Sequence, residues 1–203
     1  MSKVNMDPKY IIELTVKLFV TCIVVAGLLG GVNAITKDKI AAINLAKTQE
    51  AMKEVVADPD NTTFTEALEI TAEMSDAAAG AGATVSEVYG VEVGGANAGY
   101  AYKIVSSGSQ GSIEMMVGVD ADGVVTGVAV VKHSETSGIG TKVIDNEPNV
   151  KGVGALDQFV GKSAADGTLN VGSNVDAITG ATVSTKGITT GVNAAIAVAG
   201  AMA

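Results

Sequence analysis

The chain has 203 residues, of which 47 % are hydrophobic and 3 % aromatic, and its formal net charge is −9. All 13 basic residues are lysines. Nucleic acid is therefore excluded as a partner, because neutralising a phosphate backbone requires a basic face. The absence of arginine also removes the bidentate fork that usually clamps a phosphorylated ligand. One cysteine, Cys22, and one histidine, His133, rule out an internal disulfide and a thiolate metal cluster, and no calcium-loop pattern occurs. No metal site is expected.

In chain order, "LFVTCIVVAGLLGGVNAI" runs uncharged from Leu18 to Ile35, and its apolar character extends back through Leu14, Ile12 and Ile11. With Glu13 and Lys17 one turn apart, a helix over 10–35 is long enough to cross about 30 Å of hydrocarbon. The sequence predicts a retained single span. A cleaved signal peptide is the alternative, with Leu18–Leu29 as its apolar region and Val32-Asn33-Ala34 as its cleavage site. Cys22 falls mid-span, where it packs against lipid or a neighbouring helix. Lysines flank the span on both sides and barely choose an orientation. The strongly acidic remainder favours a short inner tail, 1–9, and an outer domain.

Beyond the span, Thr36 reads as the N-cap of a new helix to about Val56, with Ile40, Ile43, Lys47 and Ala51 on one stripe. "ADPDNTT" breaks the chain, a second helix runs from Thr65 to about Met74, and "SDAAAGAGAT" is a flexible connector. Residues 36–83 thus form a helical connector, and the remaining 84–203 a domain.

That domain opens with strands. "TVSEVYGVEV" and "AGYAYKIVSSG" are joined across Gly94-Gly95, and "GSIEMMVGVD" meets "GVVTGVAVVKH" across Ala121-Asp122-Gly123. Both faces of the last strand are apolar, which predicts a central position covered on each side. The fold class is α+β, an antiparallel-rich sheet flanked by helices. A glycine-punctuated loop follows from His133, and "KGITTGVNAAIAVAGAMA" closes the chain as a helix of small residues.

The stretch "DAITGATVST", Asp176–Thr185, concentrates hydroxyls around one Gly-Ala pair before that helix. Gly180 permits a tight or left-handed turn, and Ala181 adds little bulk, so Thr182 is presented with a reachable hydroxyl. Ser184 or Thr185 then caps the helix, whose first N–H groups make an anion seat. Ordinary capping explains the same residues; what argues against it is that the full pattern occurs together.

"DAITGAT" resembles the flavin-transferase target motif Asp-x-x-(Ser/Thr)-Gly-Ala-Thr, in which FMN is joined by its phosphate to the final threonine. "HSETSGIGTKV", His133–Val143, resembles the His-x-Glu-Thr-Pro-Gly-Leu-Gly segment of the same FMN-binding domain, with Ser137 and Ile139 replacing proline and leucine. The order of elements is similar to the G subunits of Rnf complexes, membrane-bound ferredoxin:NAD oxidoreductases that couple electron transfer to Na⁺ or H⁺ movement. The resemblance implies an electron-relay subunit with FMN esterified to Thr182. It also implies that Asp176, Thr179, Gly180 and Ala181 are read by a flavin transferase, and that Glu135, Thr136 and Gly138 lie near the flavin. Its implied partners are the other subunits of a membrane redox complex, the transferase and lipid, with the FMN domain facing away from the cytoplasm.

Two rivals accompany this reading. One is the C subunit of the sodium-translocating NADH:quinone oxidoreductase, which uses a related domain. The other is an anchored scaffold or sensor whose motif is never modified. His133 is also a candidate proton carrier. "SGIGTK" lacks the spacing of a nucleotide-binding loop.

Overall fold

The computed structural model describes residues 8–202. Most of the tail expected at 1–9 lies outside the described residues. The chain divides into two compact units, one ending at Ala46 and the other beginning at Lys47.

The first unit is helical. Helix α1, Pro8–Glu54, is continuous through the expected break at Thr36. Thr36 is not a cap: its Oγ1 donates back to Val32 O at 2.9 Å, as Thr15 does to Ile11 O and Thr21 to Lys17 O. Such back-bonding satisfies a hydroxyl within an apolar helix without breaking the ladder. Glu13 and Lys17 pair at 2.6 Å. This is the one helix among the described residues long and apolar enough to cross a membrane, and none of its apolar window is buried within the chain.

In the second unit, five strands form one antiparallel meander: β1 Thr62–Ala67, β2 Thr84–Val93, β3 Ala96–Ser107, β4 Ser112–Asp120 and β5 Val125–Lys132, in that order. Strand β1 occupies part of the segment expected to be helical from Thr65. Three β-branched threonines and Phe64 favour extended backbone, and Thr65 Oγ1 accepts the Gly90 N–H at 2.9 Å. The expected flexible connector is largely helix α2, Ala72–Gly80, capped by Thr71 through the Met74 N–H.

Strand β5 is an edge strand, not a central one. Its apolar faces are nonetheless covered, which is what its composition recorded. Part of its free edge is paired by a loop: Val125 N–H donates to Lys162 O and Gly161 N–H to Val125 O, both at 2.8 Å.

Helices α2 and α4, Thr182–Met202, cover one face of the sheet, burying Tyr102, Ile104, Met115 and Val117. (The short helix α3, Thr141–Ile144, lies in the loop after β5.) Glycines bring α4 close, since a Cβ at Gly187 would stand 2.6 Å from Ser107 O and one at Gly191 2.5 Å from Met115 Sδ. The end of α1 covers the other face, where Ala51, Met52 and Val55 pack on Ala101, Met116 and Ala129. Opposed residues Gly118 and Gly127 leave a notch for Val55, whose carbonyl accepts the Thr126 hydroxyl at 2.6 Å.

A methyl group in that notch would meet main chain, 2.7 Å from Val55 Cα in the case of Gly127. Gly127→Ala is expected to destabilise the domain by about 1–3 kcal/mol, the range for overpacking. Thermal unfolding of the detergent-solubilised chain checks this, with a melting point lowered by roughly 2–10 °C.

Candidate cofactor site

The segment 176–182 enters from the loop 145–176 and turns into α4. Gly180 has φ +84, a conformation open to glycine, and an added Cβ there would meet nothing within 4 Å. Ala181 is 2 % exposed, and its carbonyl accepts the Thr185 N–H at 2.9 Å, the first bond of the helical ladder. Thr182 is consequently the first residue of α4, and it is exposed. Ser184 and Thr185 lie inside the first turn and cap nothing, a correction to their expected role. The Thr185 hydroxyl donates to Ala181 O at 3.0 Å and accepts from Ile178 N–H at 3.5 Å. The Ser184 hydroxyl donates to Glu135 Oε2 at 2.6 Å.

Glu135 is the junction of the site. It is 8 % exposed and lies in the loop after β5. Its Oε1 accepts the Ser109 N–H at 2.7 Å and the Gln110 N–H at 3.4 Å, from the β3–β4 turn, while Oε2 takes Ser184. Three segments distant in sequence thus meet on one carboxylate. Neutral donors and the positive end of the α4 dipole stabilise it in place of a lysine. Room for it exists because residues 108 and 140 are glycines; at Gly140 a Cβ would stand 2.5 Å from Glu135 Oε2.

A cleft of about 160 Å³ results. Glu135, Thr136, Ile139 and Gly140 line one side and Gly180 to Ser184 the other, with Ser109 between. Of the expected site residues, the structure brings together Glu135, Thr136, Gly180, Ala181, Thr182 and Ser184. Thr179, Gly138, Thr185 and Asp176 do not line the cleft. Thr179 and Gly138 are exposed, and Thr185 is buried beneath. Asp176 lies before the turn, paired with Lys151 at 2.7 Å. His133 accepts the Glu135 N–H on Nδ1 at 3.2 Å and lines a separate groove with the end of α1.

The cleft fits a phosphorylated group. The N–H groups of Thr182, Val183 and Ser184 precede the first ladder bond and have no acceptor among the described residues, leaving three donors at the helix end that lines the cleft. Among the hydroxyls of 179–185, those of Ser184 and Thr185 are engaged. Among the described residues Thr179 and Thr182 have no hydrogen-bond partner, and of the two Thr182 lines the cleft. Sequence reading missed Ser109, Gln110 and Gly140. Gly108 and Gly111, which flank Ser109-Gln110 within "SSGSQGS", and the second glycine of "SGIG" were the available signals.

Residues 108–197 match the family model of the FMN-binding domain, and residues 1–55 match that of the RnfG N-terminal region. The fold is therefore that of a protein whose FMN-binding domain follows an apolar N-terminal helix. The chain is 34 % identical over 204 aligned residues to the G subunit of the Na⁺-translocating ferredoxin:NAD⁺ oxidoreductase complex of Acetobacterium woodii, covering 97 % of this chain and 95 % of that one. It is 31 % identical to the G subunit of the ion-translocating oxidoreductase complex of Methanosarcina acetivorans, over 94 % and 95 % of the two chains. The corresponding Aliivibrio fischeri protein is 33 % identical over 54 % of this chain and 53 % of its own. The chain belongs to the family of G subunits of Rnf-type ion-translocating oxidoreductase complexes.

Glu135→Ala leaves the Ser109 N–H and the Ser184 hydroxyl without their acceptor. The expected loss is about 2–4 kcal/mol, by analogy with other broken buried charged hydrogen bonds. Chemical denaturation measures it. Ser184→Ala, which removes one of the donors, is expected to lose less, about 1–2 kcal/mol.

Proposed function

We propose that this chain is the electron-transfer subunit of a membrane-bound, ion-translocating ferredoxin:NAD oxidoreductase, holding FMN by a phosphoester bond to Thr182. The observation that carries the reading is the unpartnered Thr182 hydroxyl at the first residue of α4, beside three free N–H groups. A flavin transferase with a flavin dinucleotide donor makes the linkage. In that step the Thr182 oxygen–phosphorus bond would form as the phosphoanhydride bond to the leaving nucleotide breaks, with the hydroxyl proton released to solvent. Asp176, Thr179, Gly180 and Ala181 are the residues that the transferase reads.

When bound, FMN supplies the redox chemistry, accepting and donating electrons one or two at a time. The chain's own residues hold and orient. Thr182 would hold the phosphate and the α4 N–H groups would solvate its charge, while Glu135 keeps α4, the β3–β4 turn and the Thr136 loop in register. A cleft of about 160 Å³ is well below the roughly 300–1,000 Å³ of pockets that enclose a ligand. Without arginine to clamp the phosphate, reversible FMN would be lost by mass action, and a covalent tether removes that equilibrium. The domain faces away from the cytoplasm, where no concentrated flavin pool would refill the site, and α1 is its single membrane anchor.

The names of the relatives support an Rnf complex over the sodium-translocating quinone enzyme. The unmodified-scaffold reading predicts a bare polypeptide mass. Thr182→Val is isosteric and exposed, so the fold should persist. Natively isolated wild type is expected to show the mass increment of one FMN and flavin fluorescence after denaturing electrophoresis. The variant is expected to lose both, along with ferredoxin-driven NAD reduction in the assembled complex. Normal turnover by the variant would overturn the relay.

A further inference from the structure

The acceptor segment is fixed at its rear by a residue outside the motif. Gln158 sits on a 3-10 turn, Asp157–Phe159, anchored by Phe159 at 0 % exposure. Its carboxamide brackets Asp176 on both main-chain groups: Oε1 accepts the Asp176 N–H at 2.8 Å, and Nε2 donates to Asp176 O at 3.1 Å. The same Nε2 donates to Ala155 O at 2.8 Å, which ties the bracket to the loop that supports it. That loop is itself held by Asn146, whose Oδ1 accepts the Leu156 N–H at 2.7 Å.

No other group replaces this bracket. Among the described residues, Asp176 and Ala177 make no other main-chain hydrogen bond. The next contact along the segment is the long 3.5 Å bond from Ile178 N–H to Thr185. The Lys151–Asp176 ion pair is carried by a lysine side chain 69 % exposed, and an exposed pair of that kind orders little. Between the Val171–Val175 bridge and Ile178, which is buried and whose carbonyl accepts the Ala181 N–H at 2.9 Å, the path of the chain therefore depends on one side-chain amide.

We infer that Gln158 is a positioning residue for flavin attachment, its carboxamide holding the acceptor segment in the one conformation that presents Thr182 to the flavin transferase. This rests on the reading of Thr182 as the acceptor. A segment freed at Asp176 populates that conformation only part of the time. The apparent affinity for the transferase then falls by the populated fraction, while the step after binding is unchanged. Losing one or two neutral hydrogen bonds corresponds to about a three- to tenfold effect.

The test uses the full-length chain in detergent, purified free of flavin and incubated with purified transferase and flavin adenine dinucleotide, with attachment followed by intact mass. Gln158→Ala, and Gln158→Met, which retains length without hydrogen bonds, are both expected to raise KM for the chain about three- to tenfold at unchanged kcat. In the same variants, amide exchange over residues 174–182 is expected to accelerate while that of α4 from Gly187 onward stays as in the wild type. A wild-type KM despite faster exchange overturns the inference. So does unaltered exchange at 174–182, or a KM rise matched by lost protection throughout α4, which would mean general destabilisation. Thr182→Val run alongside separates the two claims: if it still gains the flavin mass, the acceptor assignment fails whatever Gln158 does.

Discussion

The Glu135 carboxylate is where the domain's architecture and its chemistry meet. Its donors are divided between the β3–β4 turn and the first turn of α4, so the sheet end and the helix start are held to a single charged group. A buried carboxylate needs those donors, because an unmatched charge there is far more expensive than an unmatched amide. The glycines at 108 and 140 follow from that need, since a side chain at either position would stand where the carboxylate stands. The first N–H groups of α4 stay free because the residue before the helix is Ala181, which has no side-chain acceptor to cap them.

On the proposed reading, this division of labour lets an arginine-free, acidic chain hold an anionic group. Main-chain dipoles would take the place of side-chain cations, and they carry no rotamer entropy to be lost on binding. A seat of main-chain donors alone is the circumstance in which the proposed covalent bond to the neighbouring hydroxyl would add most. Of the two unpartnered threonines in the segment, only Thr182 opens into the cleft, so the geometry separates residues that composition treats as equals.

Local chemistry made much of this legible in the sequence. The four long strands, their tight connections and the left-handed Gly180 are set by residues within a few positions of one another. The helix break at Thr36 failed because a threonine hydroxyl can bond backward as readily as it can cap, and the surrounding apolar chain favours the former. Strand β1 was hidden because six edge residues take their conformation from β2, not from their own pattern. The placement of β5 failed for a related reason: apolar faces report coverage, and the end of α1 together with the 161–162 loop covers an edge as effectively as flanking strands would. Glu135, Ser184 and Ser109 could not be joined from spacing alone. The sequence separation of Glu135 and Ser184, 49 residues, carries no periodic signal.

The notch that receives Val55 alters where the flavin domain begins. A fragment cut just behind the apolar span, before Lys47, keeps the helical plug over Ala101, Met116 and Ala129. One cut at the first strand bares that apolar sheet face to solvent and invites self-association. The polypeptide between lipid and sheet is therefore not a disposable tether, and a secreted version of this domain has to carry the last two turns of its anchor with it.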